Sequence, residues 1–188
     1  MEKQLVDSHL AMFDGAKDVP VKQPDVITQL KSDHHSMRAL FETLRGEIDL
    51  YCAKKPADLD LSSEIMEHLI IYPDLSHHHR EDVIFERLKL QDVTVAQQVE
   101  SIIREHKDLV ALNRRLAAAL RNIRTGLEMP RDWLDSLARA CVASNFEHMN
   151  KEDQFYFPLA VSCLSTADWE AIATEIEKVE DSRYLTKL

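Results

Sequence analysis

The sequence predicts an all-α protein made of four long helices, with a short N-terminal arm and a short C-terminal helix. Only three of the 188 residues are glycine, and runs of β-branched residues are scarce, a composition that favours helices over strands. Apolar residues recur every three or four positions through four long segments, as expected of helices that face a common core. Hydrophobic residues make up 45 % and charged residues 30 % of the chain, which is typical of a globular domain.

Composition and charge also exclude several classes of protein. The formal net charge of −10 argues against a surface for nucleic acid or for an anionic membrane. No apolar stretch approaches the length of a membrane span, and the first residues lack the apolar run of a signal peptide. The three cysteines are widely spaced, which indicates free thiols in a reducing compartment. The sequence therefore predicts a cytoplasmic protein with no nucleic-acid or membrane partner.

The chain is predicted to consist of a peripheral arm, residues 1–23, and one domain, residues 24–188. Gly15 and Pro20 interrupt the arm, and polar residues dominate it. No later segment is long enough to act as a linker between two domains.

The first helix of the domain is predicted to extend from about Asp25 to Tyr51. His34 lies in its core-facing row, whereas the adjacent His35 lies among polar residues on another face. The row steps by three and four residues throughout. Its members are Ile27, Leu30, His34, Met37, Phe41, Leu44 and Ile48.

The second helix is predicted to extend from about Leu61 to Leu88, with a bend at Pro73. Beyond the bend, His77 and Glu81 are four residues apart and therefore share one face. An imidazole and a carboxylate aimed at one point suit zinc, iron and similar ions. A competing row that begins with His78 ends in a lysine, so it fits a core less well.

The third helix begins near Thr94 and ends near Arg124, with His106 in its apolar row. Either Ile102 or Ile103, and either Leu109 or Val110, can complete that row.

The fourth helix is predicted to extend from about Arg131 to Phe157 or Pro158. His148 and Glu152 on this helix repeat the His-x-x-x-Glu spacing, and Asp153 beside them is a weaker candidate. A C-terminal helix from Ala167 to about Val179 is expected to pack against the four long helices through its apolar side. That side consists of Trp169, Ile172 and Ile176.

Each long helix thus carries one histidine on its buried row, and two rows add a glutamate one turn later. A single core histidine is unremarkable, but four of them would strand donors and acceptors in an apolar core unless something joined them. Four histidines and two carboxylates are too many for one tetrahedral ion and suit two ions bridged by carboxylates. Mixed nitrogen and oxygen donors favour iron or manganese, while zinc remains chemically compatible.

Several segments resemble the hemerythrin-like, or HHE cation-binding, domain family. They are Asp33-His34-His35, the run from Tyr72-Pro73-Asp74 through His77-His78-His79-Arg80-Glu81-Asp82, Glu105-His106, and His148-Met149-Asn150-Lys151-Glu152. The resemblance implies an up-down four-helix bundle with an oxo- or hydroxo-bridged pair of iron ions, zinc and manganese being less favoured. The metal ligands that it implies are His34, His77, Glu81, His106, His148 and Glu152.

The resemblance implies a protein that binds and reacts with a small oxidant, such as O2, hydrogen peroxide or nitric oxide. Oxygen-carrying members have a second histidine one turn after the third-helix histidine, where this chain has Val110. An open metal position there favours reaction over long-lived oxygen carriage. The sequence leaves open a peroxide- or O2-reactive oxidoreductase or a sensor or storage module that acts through a partner protein. It also leaves open a homodimer, and whether Asp153 or His78 joins the metal shell.

Overall fold

The computed structural model describes residues 24–91 and 93–185, and all regular structure in that part of the chain is helical. The predicted arm, residues 1–23, lies outside it. The helices, in chain order, are α1 (Asp25–Cys52), α2 (Leu59–Tyr72), a π-helical turn (Pro73–His77), α3 (His78–Lys89), α4 (Val93–Arg124), α5 (Arg131–Lys151), a second π-helical turn (Glu152–Tyr156), α6 (Phe157–Cys163) and α7 (Thr166–Leu185).

These elements make up four long helical runs followed by α7. The first run is α1 and the third is α4. The second consists of α2, the first π-helical turn and α3, and the fourth consists of α5, the second π-helical turn and α6. The four runs correspond to the four helices that the sequence predicts. The predicted C-terminal helix corresponds to α7, but the prediction that it is short and ends near Val179 is wrong, since α7 has 20 residues and ends at Leu185.

The predicted end of the fourth helix, at Phe157 or Pro158, is wrong. Helical structure continues to Cys163. The π-helical turn Glu152–Tyr156 precedes Pro158, so this proline lies in the first turn of α6. A proline is tolerated there because the first turn of an α-helix has no use for its missing N–H.

The four runs pack around a common interior. The first run contacts the second and the fourth, and the third contacts the same two, while α7 packs against α3. This arrangement confirms an all-helical bundle. The alternating direction of the runs stays a prediction.

The predicted core rows of α1 and α4 are buried in the structure. All seven residues of the α1 row are at most 7 % exposed, and Ile102 and Leu109, not Ile103 and Val110, complete the α4 row. Two apolar clusters result. The Phe41 cluster includes Met37, Phe41, Leu44, Met66, Leu116 and Leu137. The Phe85 cluster includes Ile27, Leu30, Ile84, Phe85, Ile102 and Phe157.

Local signals end α4 and begin α7. Gly126 adopts φ +87°, a left-handed conformation that glycine accepts without steric cost. The amide of Gly126 donates to Ile123 and that of Leu127 to Asn122, the pattern of a Schellman motif. At the start of α7, the Asp168 carboxylate accepts a hydrogen bond from the Ser165 amide at 2.9 Å. The Ser165 hydroxyl oxygen in turn accepts a hydrogen bond from the Asp168 amide at 3.3 Å. This reciprocal cap fixes where α7 starts.

Cys52, Cys141 and Cys163 are free thiols, as predicted. In the described part of the chain, no helix combines the length and the apolar content that crossing a bilayer requires.

Substitution of Leu44 by alanine is expected to destabilise the protein by about 2 to 5 kcal/mol, because Leu44 is fully buried in the Phe41 cluster. Leu50→Ala on the same helix is the matched control. Leu50 is 36 % exposed, so its loss is expected to cost less than about 1 kcal/mol. Chemical denaturation of both variants measures the difference, and equal losses would contradict this description of the core.

Candidate metal centre

Four histidines and two glutamates form a polar layer between the two apolar clusters. Along α1, for example, His34 lies between Leu30 of the Phe85 cluster and Met37 of the Phe41 cluster. Every member of the layer is at most 6 % exposed. The six residues are those predicted from the sequence: His34, His77, Glu81, His106, His148 and Glu152. The structure brings all six together, and their role as ligands stays a prediction.

The layer contains two histidine pairs. In the first pair, the Nε2 atoms of His34 and His77 are 3.0 Å apart. In the second pair, the rings of His106 and His148 have centroids 4.8 Å apart and are nearly perpendicular. Two nitrogens bound at right angles to one ion, each about 2.1 Å from it, lie about 3 Å apart. The spacing within the first pair therefore fits two ligands of a single ion.

Each glutamate faces both histidine pairs. Glu81 Oε1 lies 3.0 Å from His77 Nε2, and Glu81 Oε2 lies 3.5 Å from His106 Nε2. Glu152 Oε1 lies 3.1 Å from His148 Nε2, and Glu152 Oε2 lies 3.4 Å from His34 Nε2. The two oxygens of each carboxylate thus point to opposite halves of the layer.

A carboxylate lies against the outward nitrogen, Nδ1, of every histidine in the layer. Nδ1 of His34 is 2.9 Å from Asp153, and Nδ1 of His148 is 3.1 Å from Glu105. The corresponding distances are 3.3 Å from His77 to Asp33 and 3.2 Å from His106 to Asp82.

These outer carboxylates set the tautomer of the histidines. An ionised carboxylate can only accept a hydrogen bond, so the three hydrogen-bonded Nδ1 atoms must donate. The Nε2 atoms of these neutral imidazoles then present a lone pair to the interior, as ligation of a metal requires.

The outer carboxylates connect the four helical runs in a closed ring. Asp33 of the first run holds His77 of the second, and Asp82 of the second approaches His106 of the third. Glu105 of the third run holds His148 of the fourth, and Asp153 of the fourth holds His34 of the first. Each run therefore supplies one histidine to the layer and one carboxylate to the histidine of another run.

Cationic side chains contact the outer carboxylates of Asp153, Asp33 and Glu105. Arg38 contacts Asp153 at 3.0 Å, Arg80 contacts Asp33 at 3.5 Å, and Lys151 contacts Glu105 at 3.0 Å. Burial alone raises the pKa of Asp33, but hydrogen bonds from His77, Gln29 and Tyr72 outweigh it and lower that pKa. The carboxylate is thus held ionised.

Sequence reasoning missed the role of the outer carboxylates, although a signal for them exists. Each of them is the immediate neighbour of a residue of the layer: Asp33 of His34, Glu105 of His106, Asp82 of Glu81 and Asp153 of Glu152. Neighbours on a helix differ by about 100°, so each carboxylate points sideways, toward the histidine of another run. Asp153, considered as a ligand, lies on the outward side of His34 instead.

Both π-helical turns occur at the level of the layer. The first, Pro73–His77, ends at His77, and the second, Glu152–Tyr156, begins at Glu152. Such turns are rare in proteins overall, but many of those that occur lie at functional sites. Proline explains the first turn, since Pro73 cannot donate to the preceding helical turn, and it coincides with the predicted bend.

The interior of the layer contains hydrogen-bond acceptors that face each other. In the described part of the chain, both oxygens of Glu81, Oε2 of Glu152 and Nε2 of His148 are buried without a hydrogen-bond partner. These atoms approach histidine nitrogens, but neutral imidazoles whose protons point outward have no donor to offer. Buried acceptors that face one another are stable only when protons or cations are bound between them. Candidate metal groups that include His34, His77 and Glu81, and His106, His148 and Glu152, fit this requirement.

Without a bound ion, protons supply the positive charge. Burial lowers the pKa of each histidine, but carboxylates outweigh that effect. Asp153, Glu152 and Glu81 raise the pKa of His34 to about 11. Asp82 and Glu152 raise that of His106 to about 10, and Glu152 and Glu105 raise that of His148 to about 9.

His78 lies closer to the layer than the sequence predicts. Its ring stacks on that of His106, with centroids 4.3 Å apart and planes 15° apart. Burial, and then the charge of His106, lower the pKa of His78 to about 3, so this imidazole is neutral. His78, Glu81 and His106 form a third group with metal-binding geometry.

Comparison with known proteins identifies one family. The sequence profile described as Hemerythrin HHE cation binding domain matches residues 25–160. Those residues include both π-helical turns and all members of the layer. No curated protein matches the chain significantly.

His34→Ala is expected to lose most of the bound metal, because the substitution removes a predicted ligand and the link between both glutamates and Asp153. His35→Ala is the control, since His35 is the next residue and is exposed. Metal content per chain after purification without added metal measures the effect. The opposite result would mean that His34 is not a ligand.

Rising pH is expected to destabilise the metal-free protein and to increase the stabilisation that a bound metal provides. The raised histidine pKa values mean that protonation stabilises the metal-free fold fully below pH 6.5. That contribution declines above pH 6.5 and is lost near pH 9 for His148, near pH 10 for His106 and near pH 11 for His34. A metal ion displaces the protons, so its contribution grows over the same range. Thermal unfolding between these pH values is expected to show a falling Tm without metal and a widening gap between loaded and metal-free protein. A gap that stays constant would contradict the assignment.

Proposed function

The chain belongs to the hemerythrin HHE cation-binding family, and on that premise we propose that it is a non-haem di-iron protein that binds and reacts with O2, hydrogen peroxide or nitric oxide. One observation carries the proposal. Each buried glutamate presents one oxygen to each histidine pair. Carboxylates that bridge two ions in helical bundles are arranged in this way.

The donor set supports a pair of iron ions. Four imidazole nitrogens and four carboxylate oxygens exceed what a single tetrahedral zinc ion needs. None of the three candidate metal groups in the described residues contains a cysteine, so the thiolates typical of many structural zinc sites do not contribute. Nitrogen and oxygen donors suit iron, with manganese and zinc less favoured.

The residues around the layer orient the ligands and exclude water. Bound iron would supply the electrons and at least one coordination position for the oxidant. The outer carboxylates hold the imidazole rings in the tautomer that presents Nε2 inward. Phe157 stacks on His34 at 5.6 Å, and the apolar clusters on both sides of the layer keep bulk water away.

A pocket between α3 and α4 offers a route for small molecules. Its volume is about 480 Å³, and it reaches His106 from the surface. Val110 forms part of its lining and cannot ligate a metal. An apolar side chain at this point favours entry of small neutral molecules over bulk water.

Short connections support the up-down direction of the four runs. Residues 53–58, 90–92 and 125–130 join consecutive runs, and connections of this length link antiparallel neighbours in helical bundles. Residues 24–188 therefore form one domain in this proposal.

A protein that senses oxygen or stores iron, and acts through a partner, would use the same ligands. Turnover of peroxide distinguishes the two functions, because a sensor or store needs no catalytic cycle.

The protein, purified without added metal, is expected to hold about two iron ions per chain and to show the charge-transfer bands of a bridged ferric pair. Glu81→Gln is expected to lower the iron content, because it removes the negative charge of one bridge. Glu86→Gln on α3 is the control, since Glu86 is exposed and pairs only with Lys89 among the described residues. Iron analysis and an optical spectrum provide the measurement.

The same samples test reactivity. The reduced protein is expected to be oxidised by O2 without a long-lived oxygen adduct, or to decompose hydrogen peroxide, followed by optical absorption and an oxygen electrode. One zinc ion per chain with no ferric absorption would contradict the di-iron proposal. A stable, reversible oxygen adduct would contradict the proposed reactivity.

A further inference from the structure

The residue one turn after His106 on α4 is Val110, and the corresponding position after His34 on α1 is Arg38. Neither supplies an imidazole, and Arg38 is engaged with Asp153 at 3.0 Å. Val110 is half-buried and lines the pocket between α3 and α4. Neither α1 nor α4 therefore supplies a second histidine one turn after the first.

We infer that His78 of α3 is a fifth histidine ligand of the centre, on the side of His106 and His148. This inference rests on the proposed two-metal site and goes beyond the ligand set that the sequence predicts. His78 lines the same pocket as Val110, so an imidazole from the neighbouring helix lies at the corner where α4 provides only a valine.

The geometry of His78 supports ligation. One nitrogen of His78, one oxygen of Glu81 and one nitrogen of His106 all lie within 4.8 Å of one another. The His78 and His106 rings are nearly parallel, with centroids 4.3 Å apart. An ion bound to an imidazole nitrogen lies in the plane of the ring, so binding of both stacked rings to one ion requires the His78 ring to rotate about its side-chain torsions.

Local backbone structure explains how two consecutive histidines approach one layer. His77 is the last residue of the first π-helical turn, and His78 is the first residue of α3. A π-helical turn is wider than an α-helical turn, so successive side chains diverge less. In the fourth run, His148 precedes the π-helical turn, and the residue after it is Met149, which is buried in the Phe41 cluster.

The two halves of the centre therefore differ. The half with His106 and His148 gains a third histidine, whereas the half with His34 and His77 has no counterpart, because Met149 occupies the equivalent position. His78 gives the two proposed ions unequal ligand sets.

Cobalt(II) binding to the full-length protein tests the inference without measuring activity. His78→Ala is expected to weaken binding of the second cobalt ion about tenfold or more. It is also expected to raise the ligand-field absorbance per cobalt, because the coordination number falls. His79→Ala is the matched control, since His79 is adjacent, half-buried and lines the same pocket. It is expected to leave both quantities unchanged.

Two further variants separate ligation from a structural role. His78→Asn keeps a polar side chain but is a poor ligand, so it is expected to behave like His78→Ala. Adding Val110→His to His78→Ala is expected to restore the affinity and the absorbance, because an imidazole returns to the same corner. Restoration by asparagine, or identical behaviour of the His78→Ala and His79→Ala proteins, would overturn the inference. Binding of fewer than two cobalt ions by the unmodified protein would instead overturn the proposed two-metal site.

Discussion

The structure depends on a buried layer in which hydrogen-bond acceptors face one another. Glu81 and Glu152 point toward the Nε2 atoms of four histidines whose Nδ1 atoms face carboxylates. Such a layer is unfavourable unless positive charge resides within it. The need for positive charge explains both the raised pKa values of the histidines and the presence of residue groups that could hold a metal ion. Metal affinity and fold stability are therefore linked through the same atoms.

The layer also organises the core on either side of it. It separates the Phe41 cluster from the Phe85 cluster. Apolar side chains can slide past one another at modest cost, but a polar layer with defined partners permits only one alignment of the helices. A second polar contact on the same helices, between Asn113 and Asn145 at 2.8 Å, lies in the buried interior as well. The two contacts together fix the register of α4 against α5.

The histidines and glutamates of the layer could be predicted because burial in a helix leaves a periodic trace. His34 lies in an apolar row that steps by three and four, and the His-x-x-x-Glu spacing places two polar groups on one face. Side chains that point toward another helix leave no such trace. Asp33 and Glu105 lie beside a row, and which histidine each one meets depends on the packing of separate helices. The position of His78 escaped prediction for the same reason, since a π-helical turn changes the angle between neighbours.

The closed ring of outer carboxylates makes each helical run necessary to two others. A chain that lacks one run leaves a histidine without its carboxylate and a carboxylate without its histidine, both in a buried setting. Partly assembled forms are therefore penalised, and we expect folding to be an all-or-none process. The contact that closes the ring, from Asp153 to His34, joins residues 119 positions apart. It is the most costly in chain entropy, and it forms only when the first and fourth runs have met.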